Sequence, residues 1–496
     1  MYHGVEFMTK RVNLKHYADL GIGLFLLFAF GWFCPTWATV TRQGVQGICI
    51  LAGAIWLVAH GYGMITPSLF IMLAMVLTGY IDCGTIISTT LGSSAVWQLI
   101  MMFMLLYALN ASGADAVLAR WMISRKIFSG KPMLFSGIFV GATTVLAALA
   151  GSLGAYLFGV SLVDSIAVSA GYDNRSPWKK AMTAGVLIVS SVGGGILPFK
   201  GLGLLVYNLM EIGLGEVGIV INQGAYIVSA TLSGILICLL FTISLKLMFH
   251  VDFSKLAAID VVSICAAGNT RFNRRQTITM CIFCCCMLYT VFPYLPQRLP
   301  FYELLNEIGQ NGWFLLMVLV LTIIRVDGES LLNISKSMSQ AINWDIIWGV
   351  CGFTAVGSMI SNEELGVRTW LTWLMESAFG NVSFPVFVLV LVLMTLLLTN
   401  FITNTAAAII ISTISGPLLI EYAFSLGVNV SCVLPGIVMS SLCAFLTMAA
   451  GGSAPLFLAT DCMKENPKWI WTYGLWIIPI VSIALSAGCL ICSYML

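Results

Sequence analysis

Apolar segments bounded by charges or Gly/Pro clusters recur along the whole chain, at 18–34, 43–59, 65–80, 96–111, 133–169, 181–209, 224–249, 277–294, 312–325, 343–360, 384–422, 432–458 and 469–493. Lipid offers no partner to a backbone N–H or C=O, so a chain built this way can cross a membrane only as helices or as a closed barrel. Runs of this length fit helical spans, which need about 20 residues each. With 59% hydrophobic and 9% charged residues among 496, a soluble core is excluded. The predicted fold class is an all-α polytopic membrane protein.

Two segments, 133–169 and 384–422, are too long for one span and have a Gly-rich or polar middle. From Phe384 to Glu421 an apolar run leads into the knot Thr399, Asn400, Phe401, Ile402, Thr403, Asn404, Thr405, and a second apolar run follows. Each arm reads as roughly 13–16 residues, short of a full crossing. The expectation is a re-entrant hairpin whose tip sits at membrane depth, inside protein or beside water. Hydroxyl and amide oxygens there suit a hard cation such as Na⁺, and the N-terminus of the second arm suits an anion. The competing reading is small polar residues that glue two membrane helices together.

Counting both long segments as hairpins gives about 11 transmembrane helices plus two re-entrant hairpins. That count puts Arg120, Arg125, Lys126, Lys131, Arg175, Lys179, Lys180, Lys255, Arg271, Arg274, Arg275, Lys464 and Lys468 on the side of the N-terminus. The opposite loops carry Glu211, Glu216, Glu363 and Glu364. Lys and Arg concentrate in cytoplasmic loops, so the N-terminus is expected to be cytoplasmic. The run after Lys10, Arg11 and Lys15 lacks a small-residue cleavage site and reads as a retained first helix.

Other functional classes find little support. Cys281 and Cys284 form a CxxC without a second pair, and His3, His16, His60 and His250 fall in loops or at helix ends, so no metal site is expected. No nucleotide loop, GxSxG or HExxH occurs, which argues against an enzyme or an ATP-driven pump. Beyond Arg271, Arg274 and Arg275 there is no basic tract, and no nucleic-acid partner is expected.

The two halves echo each other. Trp97 opens a helix that runs through Gly113 to Arg120 and Trp121; Trp344 opens one that runs through Gly357 to Arg368, Trp370 and Trp373. A hairpin follows each, then a helix broken by Gly193, Gly194 and Gly195 or by Gly451 and Gly452, about 45 residues past the tip. The predicted repeats are 1–260 (scaffold helices 18–111, hairpin 133–169, broken helix 181–209) and 261–496 (scaffold helices 277–360, hairpin 384–422, broken helix 432–458). The hairpins enter from opposite sides in this topology, so the repeats are inverted, which points to a secondary transporter with its site near the midplane.

These features resemble the divalent anion/sodium symporter family of the ion transporter superfamily, which carries a Ser-Asn-Thr motif at each hairpin tip. Thr403, Asn404 and Thr405 are similar to the second motif, and Thr399 fits upstream of it. Val433 through Thr447 to Gly451, Gly452 and Ser453 is similar to the family's tenth helix, with an altered break. In the first half Gly151, Ser152 and Leu153 occupy the place of the first motif, without its asparagine and threonine, and Leu197, Pro198, Phe199 and Lys200 follow the glycine break. The resemblance implies substrate contacts at Ser152, Lys200, Thr403, Asn404, Thr405 and Ser453, and ion contacts at Thr399, Asn404, Thr447 and Gly451. It also implies an elevator-type carrier of small di- or tricarboxylates in a bacterial plasma membrane, a homodimer, and no cofactor except Na⁺. A sodium/proton antiporter of the same superfamily is the alternative, and an intramembrane enzyme or assembly factor is a further one.

Lys200 lies inside an apolar segment, where a charge costs roughly 2.5–3.5 kcal/mol on insertion scales and marks function by default. Its ammonium could stand where a sodium ion sits in relatives, or pair with a substrate carboxylate. Asp164, the other isolated membrane charge, is expected to pair with Lys200 and to be the coupling candidate. Snorkelling to an interface is the competing reading for both.

Overall fold

The computed structural model describes residues 14–123, 130–215, 217–257, 271–289, 302–379, 382–447 and 453–496. The first half holds α1 (Leu14–Phe25), α2 (Arg42–Ala59), α3 (Ile65–Leu77), α4 (Ser94–Ser112), α5 (Ala114–Ile123), α6 (Pro132–Ala150), α7 (Ser152–Ala170), α8 (Pro177–Gly194), α9 (Leu202–Gly215) and α10 (Gln223–Leu247). The second holds α11 (Arg274–Tyr289), α12 (Tyr302–Ile323), α13 (Trp344–Ser361), α14 (Val367–Phe379), α15 (Phe384–Thr399), α16 (Asn404–Leu426), α17 (Leu434–Leu442), α18 (Ala454–Leu458) and α19 (Pro467–Met495). Among the described residues, ten helical stretches are long and apolar enough to cross a membrane.

The element order repeats. An interfacial arm follows a long helix in each half, α5 after α4 and α14 after α13, each entered through a left-handed glycine, Gly113 and Gly366. A helical hairpin comes next, α6–α7 or α15–α16, then an interrupted helix and a long closing helix, α10 or α19. From Gly151 to the first interruption at Gly195 is 44 residues, and from Asn400 to the second at Cys443 is 43.

Two expectations are corrected. The arms of the second hairpin are 16 and 23 residues long, because α16 continues through Pro417 to Leu426, and both arms of the first are 19. Short arm length therefore does not by itself argue for re-entrance. The second interruption begins at Cys443, ahead of Gly451 and Gly452, which lie outside the described residues.

The apolar interior divides into two bodies that each draw on both halves. One core runs from Leu27 to Ala114 and from Ile282 to Val367, joined by Leu197 and Phe199 after the first break and by Ala406 and Ile409 of α16. The other runs from Ile123 to Leu256 and from Phe384 to Cys489, with the hairpins and interrupted helices in it. In the first body α13 packs on α3, and α4 on α11 and α12; in the second α8 packs between α6 and α7, α10 on α19, and α15 on α17 and α19. α9 lies between the bodies, packed on both α13 and α16. Leu204 and Leu205 join the first core, and Val206 and Met210 the second.

Candidate functional site

The first hairpin reverses at a single residue. Gly151 has φ 102°, which L side chains rarely adopt, so glycine is required to join α6 directly to α7. Ala147 O still accepts from Gly151 N at 2.9 Å, and the abrupt stop leaves the carbonyls after it without helical partners. Lys200 supplies one: its Nζ donates to the carbonyls of Ala147 (3.1 Å) and Ala148 (3.0 Å), placing a cation at the negative end of the helix. Lys200 reaches them because the chain leaves α8 at Gly194, where a Cβ would collide with Ser152 Oγ. Tyr226 of α10 fixes the break by donating to the Gly195 carbonyl at 2.8 Å.

The second tip is built of side-chain oxygens. Thr403 is the N-cap of α16 and its hydroxyl accepts from Ala406 N. Thr399, fully buried, shares its one hydroxyl hydrogen between Asn404 Oδ1 at 2.9 Å and the Ser441 carbonyl, tying both ends of the tip to α17. Asn400, also fully buried, is the hub: its Nδ2 donates to Leu396 O (2.7 Å), and its Oδ1 accepts from Phe445 N (2.9 Å) and Leu446 N (2.8 Å). Thr447 Oγ1 donates to the Asn400 carbonyl at 2.5 Å. These bonds satisfy the backbone that α17 abandons when it ends at Leu442.

The interruptions pack on each other, since a Cβ on Gly195 would touch Met439, Val438 and Leu442. Beside them is a cavity of about 280 Å³, lined by Thr403, Asn404 and Thr405 from the second tip, Gly201, Leu202 and Leu205 after the first break, Leu442 of α17, and Met64 and Ile346 of the first body. The first half thus contributes its break to the lining, and Gly151, Ser152 and Lys200 are not lining residues. Thr447 is held against Asn400, Ser453 is buried at the start of α18, and Gly451 lies outside the described residues.

Asp164 does not meet Lys200. It lies twelve residues past Ser152, about 18 Å of helix rise from the tip, and pairs with Lys179 at 2.8 Å. Lys179 also donates to Asn174 Oδ1, and the Asp164 side chain is 52% exposed. The carboxylate whose charge does act on Lys200 belongs to Asp115, 8% exposed in the first turn of α5. Burial pushes its carboxyl above the usual aspartate range, against the opposing pull of the Ala116 and Asp115 amides and, after them, of the Lys200 charge. Sequence reasoning missed Asp115 because it sits in a segment read only for its cations. It missed Asn400 as a hub because the family motif begins later; the signal for Asn400 was an amide inside an apolar run.

Two apolar cores, with paired helical hairpins and interrupted helices gathered in one of them beside a cavity, describe a membrane-embedded secondary transporter. The sequence profile of the citrate transporter family matches residues 54–415, and the chain belongs to that family, of the ion transporter superfamily type. Among solved structures it is similar to the YdaH transporter of Alcanivorax borkumensis (TM-score 0.56, 13% identity, covering 88% of this chain and 98% of that one). It is also similar to MtrF of Neisseria gonorrhoeae, described as illuminating a class of antimetabolite efflux pumps (TM-score 0.58, 12% identity, 96% and 98% covered). At these identities the likeness concerns the fold. No curated protein matches the chain significantly in sequence.

Proposed function

We propose that this chain is a secondary active carrier of small organic anions of the di- or tricarboxylate class, with Na⁺, H⁺ or a counter-anion completing its cycle. The observation that carries the reading is the polar tip of α16: Thr403, Asn404 and Thr405 present a helix N-terminus to the 280 Å³ cavity, beside the break that holds the Lys200 ammonium. Amide dipoles and a fixed cation favour a carboxylate. Thr399 and Asn404 offer oxygens for one Na⁺ in the same layer. Uptake by proteoliposomes against a panel of organic acids tests this. Saturable uptake of one acid, competed by other dicarboxylates, is the expected result, and Na⁺/H⁺ exchange without any anion movement would favour the antiporter reading instead.

The two separate cores support an elevator cycle in which the hairpin body slides against the scaffold of α1–α4 and α11–α13. A polar latch crosses between them: Gln98 of α4 and Gln310 of α12 both donate to Gln223 Oε1 of α10, at 3.3 and 2.6 Å. Bridging Gln98→Cys and Gln223→Cys with a short bis-methanethiosulfonate linker, in a background with exposed native cysteines replaced, is expected to cut uptake at least roughly tenfold, with recovery on reduction. Unimpaired uptake by the cross-linked protein would exclude sliding at this contact.

The scaffold is also the proposed interface of a homodimer in a bacterial plasma membrane, with the N-terminus in the cytoplasm. Sedimentation in mild detergent is expected to give a dimer mass; a monodisperse monomer there and in lipid would count against it.

A further inference from the structure

The reading of the chain as an anion carrier leaves its most deeply buried carboxylate without a role. Among the described residues only two charged side chains are buried, Asp115 and Lys179. Lys179 is matched by Asp164 and Asn174. Asp115 forms no ion pair within 4 Å among those residues; the four pairs found there involve other groups.

Its position is specific. Gly113 turns the chain in the left-handed conformation, so that α5 starts at Ala114 and Asp115 occupies its first turn, near the helix's own free amides. One turn later Ala119 packs with Leu146, Ala147 and Ala155, the residues that flank the first hairpin tip. Ala147 is also one of the two residues whose carbonyls bind Lys200 Nζ. The helix that carries Asp115 thus packs on the same last turn of α6 that Lys200 Nζ binds, with no ion pair between the two side chains.

Among the described residues few other charges surround the carboxylate. Elements packed on α5 are α4, α6, α7 and α11; α7 carries Tyr156 and Asp164, the latter paired with Lys179. α6 carries no titratable side chain, and α4 carries only Tyr107, whose hydroxyl donates to Gln340. α11 opens with Arg274 and Arg275; Arg275 pairs with Glu329, and Gln276 donates to the Ser112 carbonyl. The remaining titratable side chains of α11 are Cys281, Cys284, Cys285, Cys286 and Tyr289. Arg120, on α5 itself, lies over the Phe158 ring of α7. Of all these charges only that of Lys200 acts on Asp115.

We propose that Asp115 carries the coupling proton, and that proton and anion load together because the Asp115 carboxylate and the substrate carboxylate compete for the field of the Lys200 ammonium. While Asp115 is ionised it partly cancels that field at the tip. Taking one proton from water removes the negative charge, and Lys200, still an ammonium, then acts on the anion alone. Linkage makes the effect reciprocal: bound anion favours a protonated Asp115 by the same factor by which the proton favours the anion. Anion affinity should therefore rise as pH falls, by at most about tenfold per pH unit for one coupled proton.

This inference rests on the anion-carrier reading, and the experiment separates the two. Full-length wild type, Asp115→Asn and Asp115→Glu are reconstituted, and citrate and succinate serve as probe anions. Wild type is expected to accumulate the anion down an inward proton gradient, with a KM that falls as pH falls. Asp115→Asn should lose gradient-driven accumulation while retaining measurable anion exchange with a pH-independent KM, and Asp115→Glu should restore pH dependence. In difference infrared spectra of the purified protein, a protonated-carboxyl band that titrates in wild type should be missing in Asp115→Asn. Gradient-driven accumulation by Asp115→Asn equal to wild type, or an unchanged carboxyl band, overturns the role of Asp115 and leaves the carrier standing. A wild type that moves neither probe nor any acid of the wider panel overturns the carrier reading and this inference with it.

Discussion

Asn400→Ala is expected to abolish transport and to lower thermal stability, whereas Asn404→Ala should cost transport with little loss of stability. The difference follows from what each amide holds. Asn400 is fully buried, and its Oδ1 is the acceptor for two consecutive backbone donors, Phe445 N and Leu446 N, at the point where α17 has ended. Truncation leaves both buried N–H groups without that acceptor, at about 1–3 kcal/mol each. The segment leading through Thr447 would then lose its registration against the tip. Asn404 is half-buried at the cavity wall, and its Oδ1 accepts from Thr399. Its loss chiefly removes polar groups from the site. Thermal unfolding and proteoliposome uptake of both variants, with insertion checked, separate the cases. Equal melting temperatures for wild type and Asn400→Ala would show that the hub is dispensable for the fold.

Asn400 also marks the boundary of what the sequence made legible. The two hairpins and the interruption after the glycines Gly193 and Gly194 were readable, because each rests on local chemistry: a polar or Gly-rich middle between apolar runs, and consecutive glycines. The second interruption was expected at Gly451 and Gly452 for the same local reason. It begins eight residues sooner, at Cys443, where no glycine or proline stands. What permits it is a side chain 43 residues earlier in the chain, an acceptor that local propensity cannot register. The Asp164–Lys179 pair escaped for a related reason. Both lie near the loop that joins α7 to α8, far from the tip, and only helix rise, applied from Ser152 onward, separates Asp164 from Lys200. Sorting residues into two bodies was equally beyond a linear reading, since each core draws separate stretches from both halves.

Lys200→Ala is expected to weaken anion uptake by roughly 10- to 150-fold, the loss that corresponds to about 1.5–3 kcal/mol for a hydrogen bond to a charged group. The first tip lacks the Asn and Thr that would supply cation ligands, and the ammonium of Lys200 instead occupies the end of α6, on the carbonyls of Ala147 and Ala148. Carbonyl oxygens at a helix C-terminus are what a bound Na⁺ would use. We therefore read Lys200 as a built-in replacement for that ion, one that cannot dissociate with the substrate. Two consequences follow for the cycle. Uptake should depend on at most one Na⁺, held near Thr399 and Asn404, with a proton or a counter-anion supplying the rest of the driving force. Removing the lysine should expose the Ala147 and Ala148 carbonyls, so that Lys200→Ala regains part of its uptake when Na⁺ is raised. Lys200→Arg should not simply rescue, because a planar guanidinium does not mimic a compact ammonium seated beside Gly151 on the end of α6. Initial rates measured against Na⁺ at fixed pH decide the matter. A steep dependence on two or more Na⁺ in wild type, unaltered in Lys200→Ala, would mean that the ammonium replaces no ion and that Lys200 serves only to close the helix.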